Sequence, residues 1–210
     1  MNDLIWGVKA VNEPAKKEKM MGAEEPVMST NIEVFSNKIY FYEDINQTSI
    51  FKLNKVIREM NYKLIATSPE KYMPGAKTDD HIELYIHSYG GSVLSAFAAL
   101  DLIEKNTIPI WTIVEGGAAS AGTLLSLAGK KRLITKRSYM LIHQLSSVHW
   151  GKFEELKDDM ENSENLMIQI KKFYKEYTKI SNSDLENILK HDLWLDAEKC
   201  LKWGMVDEII

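Results

Sequence analysis

Cysteine is almost absent from this 210-residue chain: the single Cys200 excludes an internal disulfide and suits a reducing compartment. An excess of positive charge is missing too. The 26 Lys and Arg stand against 30 Asp and Glu, for a formal net charge of −4, and the basic residues are scattered among acids, so no basic field is available to hold nucleic acid. No run approaches the apolar length of a membrane span, and residues 1–7 lack the basic region and apolar core of a secretory signal, so the expected location is the cytoplasm, away from membranes. His81, His87, His143, His149, His191 and Cys200 show no ligand spacing for zinc, and the glycine-rich turns lack the lysine and hydroxyl order of a nucleotide-binding loop. Neither a metal nor an organic cofactor is expected. A hydrophobic content of 45% is enough for one sizeable core, and no second core-forming region is visible.

What is present is a serine boxed in by small residues: Gly116-Gly117-Ala118-Ala119-Ser120-Ala121-Gly122, between an apolar, largely β-branched run at 108–114 and a helix-forming run that ends at Gly129. The pattern places Ser120 in the first turn of a helix after a strand, where free N–H groups favour developing negative charge and one loop could supply both a nucleophile and part of an oxyanion hole. Close packing or a phosphate cradle would use the same small residues. The company Ser120 keeps favours the nucleophile. Residues 139–144 read as a short apolar strand ending in His143-Gln144, and His191-Asp192 lies further on. A serine, a histidine and an aspartate at the ends of separate elements are the ingredients of a hydrolase triad. Ile82 to Val93 reads as a strand running into Gly90-Gly91 and then a helix, a turn whose backbone N–H can face a ligand with no Cβ in the way.

Ser88-Tyr89-Gly90-Gly91-Ser92-Val93, Gly117 to Gly122, Met140-Leu141-Ile142-His143-Gln144, and Asp192 followed by Trp194-Leu195-Asp196-Ala197-Glu198 and Trp203-Gly204-Met205-Val206-Asp207 resemble, in order and spacing, the Clp protease proteolytic subunit (ClpP) family. The likeness covers 82–210, with a weaker continuation back to residue 31. It implies Ser120 as nucleophile, His143 as general base and then acid, and Asp192 as the group that orients the imidazole, with the N–H groups of Gly91 and Ala121 forming the oxyanion hole. It also implies polypeptide substrates, a homo-oligomer of two stacked heptameric rings, and a Clp-type AAA+ unfoldase as partner. Departures are visible: Tyr89 replaces the usual proline before the double glycine, Gly117 a glutamine, Ala121 a methionine, and Leu145 a proline. Residues 146–150 replace a more glycine-rich strand that flanks bound peptide, and residues 1–30 have no counterpart to the family's axial loops.

The expected fold is α/β, ClpP/crotonase-like, built from repeated β-β-α units with a parallel sheet and a projecting handle helix. Residues 1–30 read as a flexible tail and 31–210 as the peptidase domain, with the handle at about 145–180. Within the domain we expect strand character at 32–42, an amphipathic helix over 48–62, a long loop at 63–80, strand 82–87, helix 92–105, strand 110–114, helix 120–128, strands at 132–135 and 139–142, helices 152–179 and 183–190, and a closing helix and strand over 196–209. In 153–177 apolar residues recur at three- and four-residue steps among Lys, Glu, Asp and Asn; this describes either a surface helix with one buried stripe or a projecting helix that meets another subunit, and the resemblance implies the second. The expected function is a serine endopeptidase. Alternatives are a self-contained processing protease, a crotonase-like acyl-CoA enzyme, for which the triad would be superfluous, and an inactive scaffold subunit.

Overall fold

The computed structural model describes residues 31–75 and 78–210, together with the backbone of a short strand, Ile5–Trp6 (β1). Apart from β1, the tail expected over 1–30 lies outside the described residues.

Residues 32–42 form a hairpin, not one strand. Ile32–Phe35 (β2) and Lys38–Phe41 (β3) pair antiparallel, and the polar Ser36-Asn37 pair makes the turn, with Ser36 at φ 58°. Gln47–Thr67 (α1) starts at a capping box: the Asn46 side chain accepts from the Ser49 N–H at 2.9 Å, and the Ser49 hydroxyl accepts from the Asn46 N–H at 3.0 Å. The helix outruns its expected end because Leu64 and Ile65 continue the apolar stripe and pack on the core. A 3₁₀ turn, Pro69–Tyr72, follows, so most of the expected 63–80 loop is ordered helix or turn; Ala76 and Lys77 lie outside the described residues.

The rest of the chain runs through Ile82–Ser88 (β4), Gly91–Ser92 (β5), Val93–Lys105 (α2), Ile110–Ala119 (β6), Ala121–Leu127 (α3), Lys131–Ile134 (β7), Tyr139–Leu141 (β8), Phe153–Tyr177 (α4), Asn182–Ile188 (α5), Trp194–Asp196 (β9), Ala197–Lys202 (α6) and Glu208–Ile209 (β10). The main sheet has the order β10-β7-β6-β4-β3-β2, parallel from β10 to β3, and β8 joins β6 in parallel further along the strand. Along β4, Ile82, Leu84, Ile86 and Ser88 turn inward in the period-two pattern of a strand. With Ile39, Leu53, Ile57, Ala96, Leu100, Val114 and Leu124 they make one core between the sheet and α1, α2 and α3. Burial of each Leu or Ile in it is worth about 1.5–3 kcal/mol.

Strand β6 corrects the expectation most usefully. It does not stop at residue 114 but continues through Gly116 to Ala119, the stretch read as a turn, after an irregularity: Ile86 pairs Val114 while Ser88 pairs Ala118. Extra β6 residues are accommodated at Gly116, whose φ is 77° and where a Cβ would lie 2.7 Å from His87 Nδ1. The Gly117 N–H reaches the same ring nitrogen at 3.2 Å. Past this bulge β6 leaves β7 and pairs with β8, so one strand serves two neighbours and carries its end to the site.

Helix α4 divides in two. Its C-terminal part is rooted by Ile170 and Tyr174, both fully buried, whereas Phe153, Leu156, Met160 and Ile168 are exposed. The apolar stripe is therefore not an ordinary buried one. Among the described residues, no helix is long and apolar enough to cross a membrane.

Candidate active site

Three adjacent parallel strands, β4, β6 and β8, deliver the predicted residues from their carboxyl ends, where open α/β sheets place their ligands. Gly90 and Gly91 follow β4, Ser120 follows β6, and His143 lies two residues past β8. Asp192 arrives from the other side. Strand β9, absent from the sequence expectation, pairs antiparallel with β8 in the register Leu141 to Trp194; continued two residues outward, that register sets Asp192 opposite His143.

Ser120 is fully buried and caps α3 with φ 57° and ψ −129°, outside the helical turn expected for it. A left-handed φ is uncommon for a residue with a Cβ and marks a sharp strand-to-helix elbow. Its N–H donates to the Leu141 carbonyl at 2.8 Å, which ties the elbow to the strand that leads to His143. Small neighbours make the elbow possible. A Cβ on Gly90 would stand 2.6 Å from Ser120 Cβ and 2.9 Å from its Oγ, and one on Gly122 would stand 2.8 Å from the Ser88 carbonyl oxygen. Gly90 itself has φ 100°, so both space and backbone require glycine there.

The Gly91 backbone has a defined direction. Ser92 N–H donates to the Ile45 carbonyl at 2.7 Å, and Ile45 N–H donates to the Gly90 carbonyl at 2.7 Å, so one edge of β5 is spent on Ile45. By strand alternation Gly91 turns its own N–H to the opposite edge, and there β1 pairs antiparallel, Trp6 in register with Gly91.

His143 is buried, and its Nδ1 lies 3.9 Å from Asp192 Oδ1. That is Coulombic reach, longer than a hydrogen bond. Burial lowers the imidazole pKa, opposed by the Asp192 charge and by a hydrogen bond with the Gln144 backbone. The balance favours the neutral form that a base needs. The Asp192 side chain is 83% exposed, so half of this pair sits in water. Past His143, residues 144–150 lie in neither helix nor strand and alternate in exposure, anchored by Gln144 N–H to the Leu189 carbonyl at 2.7 Å and by His149, which faces Asp159 at 3.2 Å and Ser163 at 3.1 Å on α4. His149 is thus a clasp between that segment and the handle, while His191, three residues past the end of α5, is exposed.

Sequence reasoning missed an aromatic wall beside the site: His87, Tyr89 and Trp194 meet edge to face in succession at 5.5 and 6.2 Å, and Trp194 lies against Gly117. Its signal in the sequence is Tyr89 in place of the family's proline and Trp194 two residues after Asp192, which only folding makes neighbours. Among the described residues, no group of three His, Cys, Asp or Glu is disposed to hold a metal ion.

The arrangement offers a serine at a strained elbow, an imidazole whose burial favours its neutral form past the end of the next strand, a carboxylate facing it and two turns that bring backbone close to the serine, which is equipment for acyl transfer. Comparison with known proteins agrees with this chemistry. A "ATP-dependent Clp protease proteolytic subunit 1" of Protochlamydia amoebophila (strain UWE25) is 31% identical over 205 residues, covering 93% of this chain and 92% of that protein. The Clp protease family model matches residues 36–210, and the chain belongs to the Clp protease family.

Proposed function

We propose that Ser120, His143 and Asp192 are the triad of a serine endopeptidase and that the N–H groups of Gly91 and Ala121 are its oxyanion donors. Membership of the family makes the chain a serine-type peptidase, which decides against acyl-CoA chemistry. The observation that carries the residue assignment is the Ser120 elbow at φ 57°, close enough to Gly90 to leave no room for a Cβ there and hydrogen-bonded through its N–H to the strand leading to His143. In this reading His143 takes the Ser120 proton as the oxygen attacks a peptide carbonyl, then returns it to the leaving amine. Asp192 holds the imidazole in the useful tautomer, closing from its 3.9 Å resting separation as substrate or a neighbouring subunit dries the site. Water then releases the acyl-enzyme.

An extended polypeptide is the substrate this site favours. The edge of β5 that presents Gly91 accepts an antiparallel strand, since the chain's own β1 lies on it, and strand addition is a general mode of peptide recognition. Residues 31–210 form the peptidase domain and about 145–180 its handle. The exposed stripe of Phe153, Leu156 and Met160 meets another copy, in stacked rings of the kind the family likeness implies. The relative named above is a subunit of an ATP-dependent protease, and by that likeness a Clp-type ATPase supplies unfolded chains to this one.

The test is intact-protein mass spectrometry after exposure to a fluorophosphonate probe. A single adduct on wild type, mapping to Ser120 and lost in Ser120→Ala and His143→Ala, is the expected result. An assembled wild-type protein that takes no adduct would identify a scaffold subunit and overturn the assignment.

A further inference from the structure

Helix α4 reaches the nucleophile elbow through a two-hydroxyl relay that none of the roles assigned above uses. Thr123 Oγ1 donates to the Ser120 carbonyl at 2.6 Å, and the Thr123 N–H donates to the same oxygen at 3.0 Å. Tyr174, from the rooted end of α4, lies 2.6 Å from Thr123 Oγ1. A hydroxyl has one proton, and a carbonyl can only accept, so the Thr123 proton is committed to Ser120 and Tyr174 must be the donor in the second bond. All three residues are fully buried. Burial raises the phenol pKa well above its ordinary value, so Tyr174 stays protonated and donating across the working pH range.

The oxygen at the end of this relay belongs to the Ser120–Ala121 peptide unit. That unit is planar, with its C=O and N–H pointing opposite ways, so whatever fixes the carbonyl fixes the direction of the Ala121 N–H. Donation to the carbonyl also polarises the amide and strengthens its N–H as a donor. The geometry points to Thr123 and Tyr174 as positioning residues that aim and strengthen the Ala121 N–H at the oxyanion, linking the root of the handle helix to the transition state. This rests on the peptidase reading above. Neither residue touches substrate; both act through one peptide plane.

Four variants test it: Thr123→Val, Thr123→Ser, Tyr174→Phe and the double Thr123→Val/Tyr174→Phe, each assayed for kcat and KM on a fluorogenic peptide, for affinity toward a peptide boronate, and for melting temperature. Thr123→Val should lower kcat by about 10- to 100-fold with KM within about twofold, because misaiming a donor costs transition-state binding alone. Boronate affinity should fall by a similar factor. Thr123→Ser should restore most of kcat, and Tyr174→Phe should cost less, about three- to tenfold, since the Thr123 donor survives. Stability should follow a different order: Thr123→Val strands the Tyr174 hydroxyl and melts lowest, while the double variant replaces both partners by apolar shapes and recovers much of the loss. Its kcat should stay at the Thr123→Val value. If kcat recovers along with melting temperature in the double variant, or if Thr123→Val keeps wild-type kcat in an enzyme that labels at Ser120, the relay is structural and the inference is wrong. A wild type that neither labels nor cleaves peptide would instead remove the peptidase reading, and this inference with it.

Discussion

The two ends of the candidate triad are built by opposite means. Ser120 sits in the core at an elbow fixed from several sides: its N–H is tied to Leu141, its carbonyl to Thr123, and its side chain leaves no room for a Cβ on Gly90. Asp192 lies two residues before β9, whose register with β8 sets it opposite His143, and its carboxylate stands largely in water. An elbow preorganised by the fold costs nothing to reorganise during reaction, whereas a solvated carboxylate has its charge screened until water is removed. On the proposed assignment, the nucleophile is positioned within the monomer, whereas the orienting carboxylate is left for binding or assembly to complete. Helix α4 repeats the contrast along its own length, with Tyr174 rooted under the elbow and Phe153, Leu156 and Met160 in solvent.

Substitutions at the two ends should separate in size. Ser120→Ala should remove about 10⁶ in kcat, and Asp192→Asn on the order of 10⁴ or less, because the exposed aspartate orients a base that remains present. Equal losses, measured by turnover of a fluorogenic peptide, would break the comparison. Gly90→Ala comes next. Its Cβ has no room beside Ser120 and its φ of 100° is strained for alanine, so kcat should fall by about 10²-fold as the elbow shifts, with about 1–3 kcal/mol of stability lost. An alanine variant with wild-type kcat would show that the elbow is not fixed by that contact.

How far the sequence reveals this division depends on which force acts at each residue. Local pattern suffices where a residue's role is set by its neighbours in the chain: the β4 alternation, the small-residue run before Ser120, and the histidine at the end of an apolar strand were all readable. What pairing decides was not readable. The extension of β6 through Gly116 to Ala119 depends on β8 arriving as a second partner and on His87 filling the bulge, and glycine-rich residues by themselves signal a turn. Strand β9 has only three residues, too few for a period, and exists because β8 offers it an edge. The expected helix ends at 62, short of the observed 67, because Leu64 and Ile65 sit beside a lysine and an alanine, and only tertiary contact shows that they pack. Thr123 carried no signal at all: its partner Tyr174 lies 51 residues away on another helix.

The pH dependence sharpens the comparison by a smaller effect. In the proposed mechanism His143 acts as a base only when neutral, and burial lowers its pKa. The acid limb of kcat/KM should therefore lie below the ordinary histidine value of about 6.5. Asp192 opposes the shift, so Asp192→Asn should move the limb further down while lowering the plateau. A limb above the ordinary value in wild type, or one that rises in the variant, would contradict the site's electrostatics. Stability follows the same sign: a histidine that prefers to be neutral when folded contributes fully above about pH 6.5, and the contribution is lost as pH falls through the lowered folded value.

The smallest effect on the isolated chain belongs to the exposed half of α4. Leu156 and Met160 lie one turn apart and are exposed, so Leu156→Glu/Met160→Glu should leave the stability of the isolated chain within about 0.5 kcal/mol per substitution. If that stripe meets a second copy, the same pair of charges would be buried against it without partners, and assembly should fail. Sedimentation velocity beside thermal melting reads the two effects separately. Loss of the oligomer with an unchanged melt of the dissociated chain places the unfinished half of the molecule at the α4 stripe; an oligomer that survives both charges places the contact elsewhere, and the exposure of the stripe then needs another occupant.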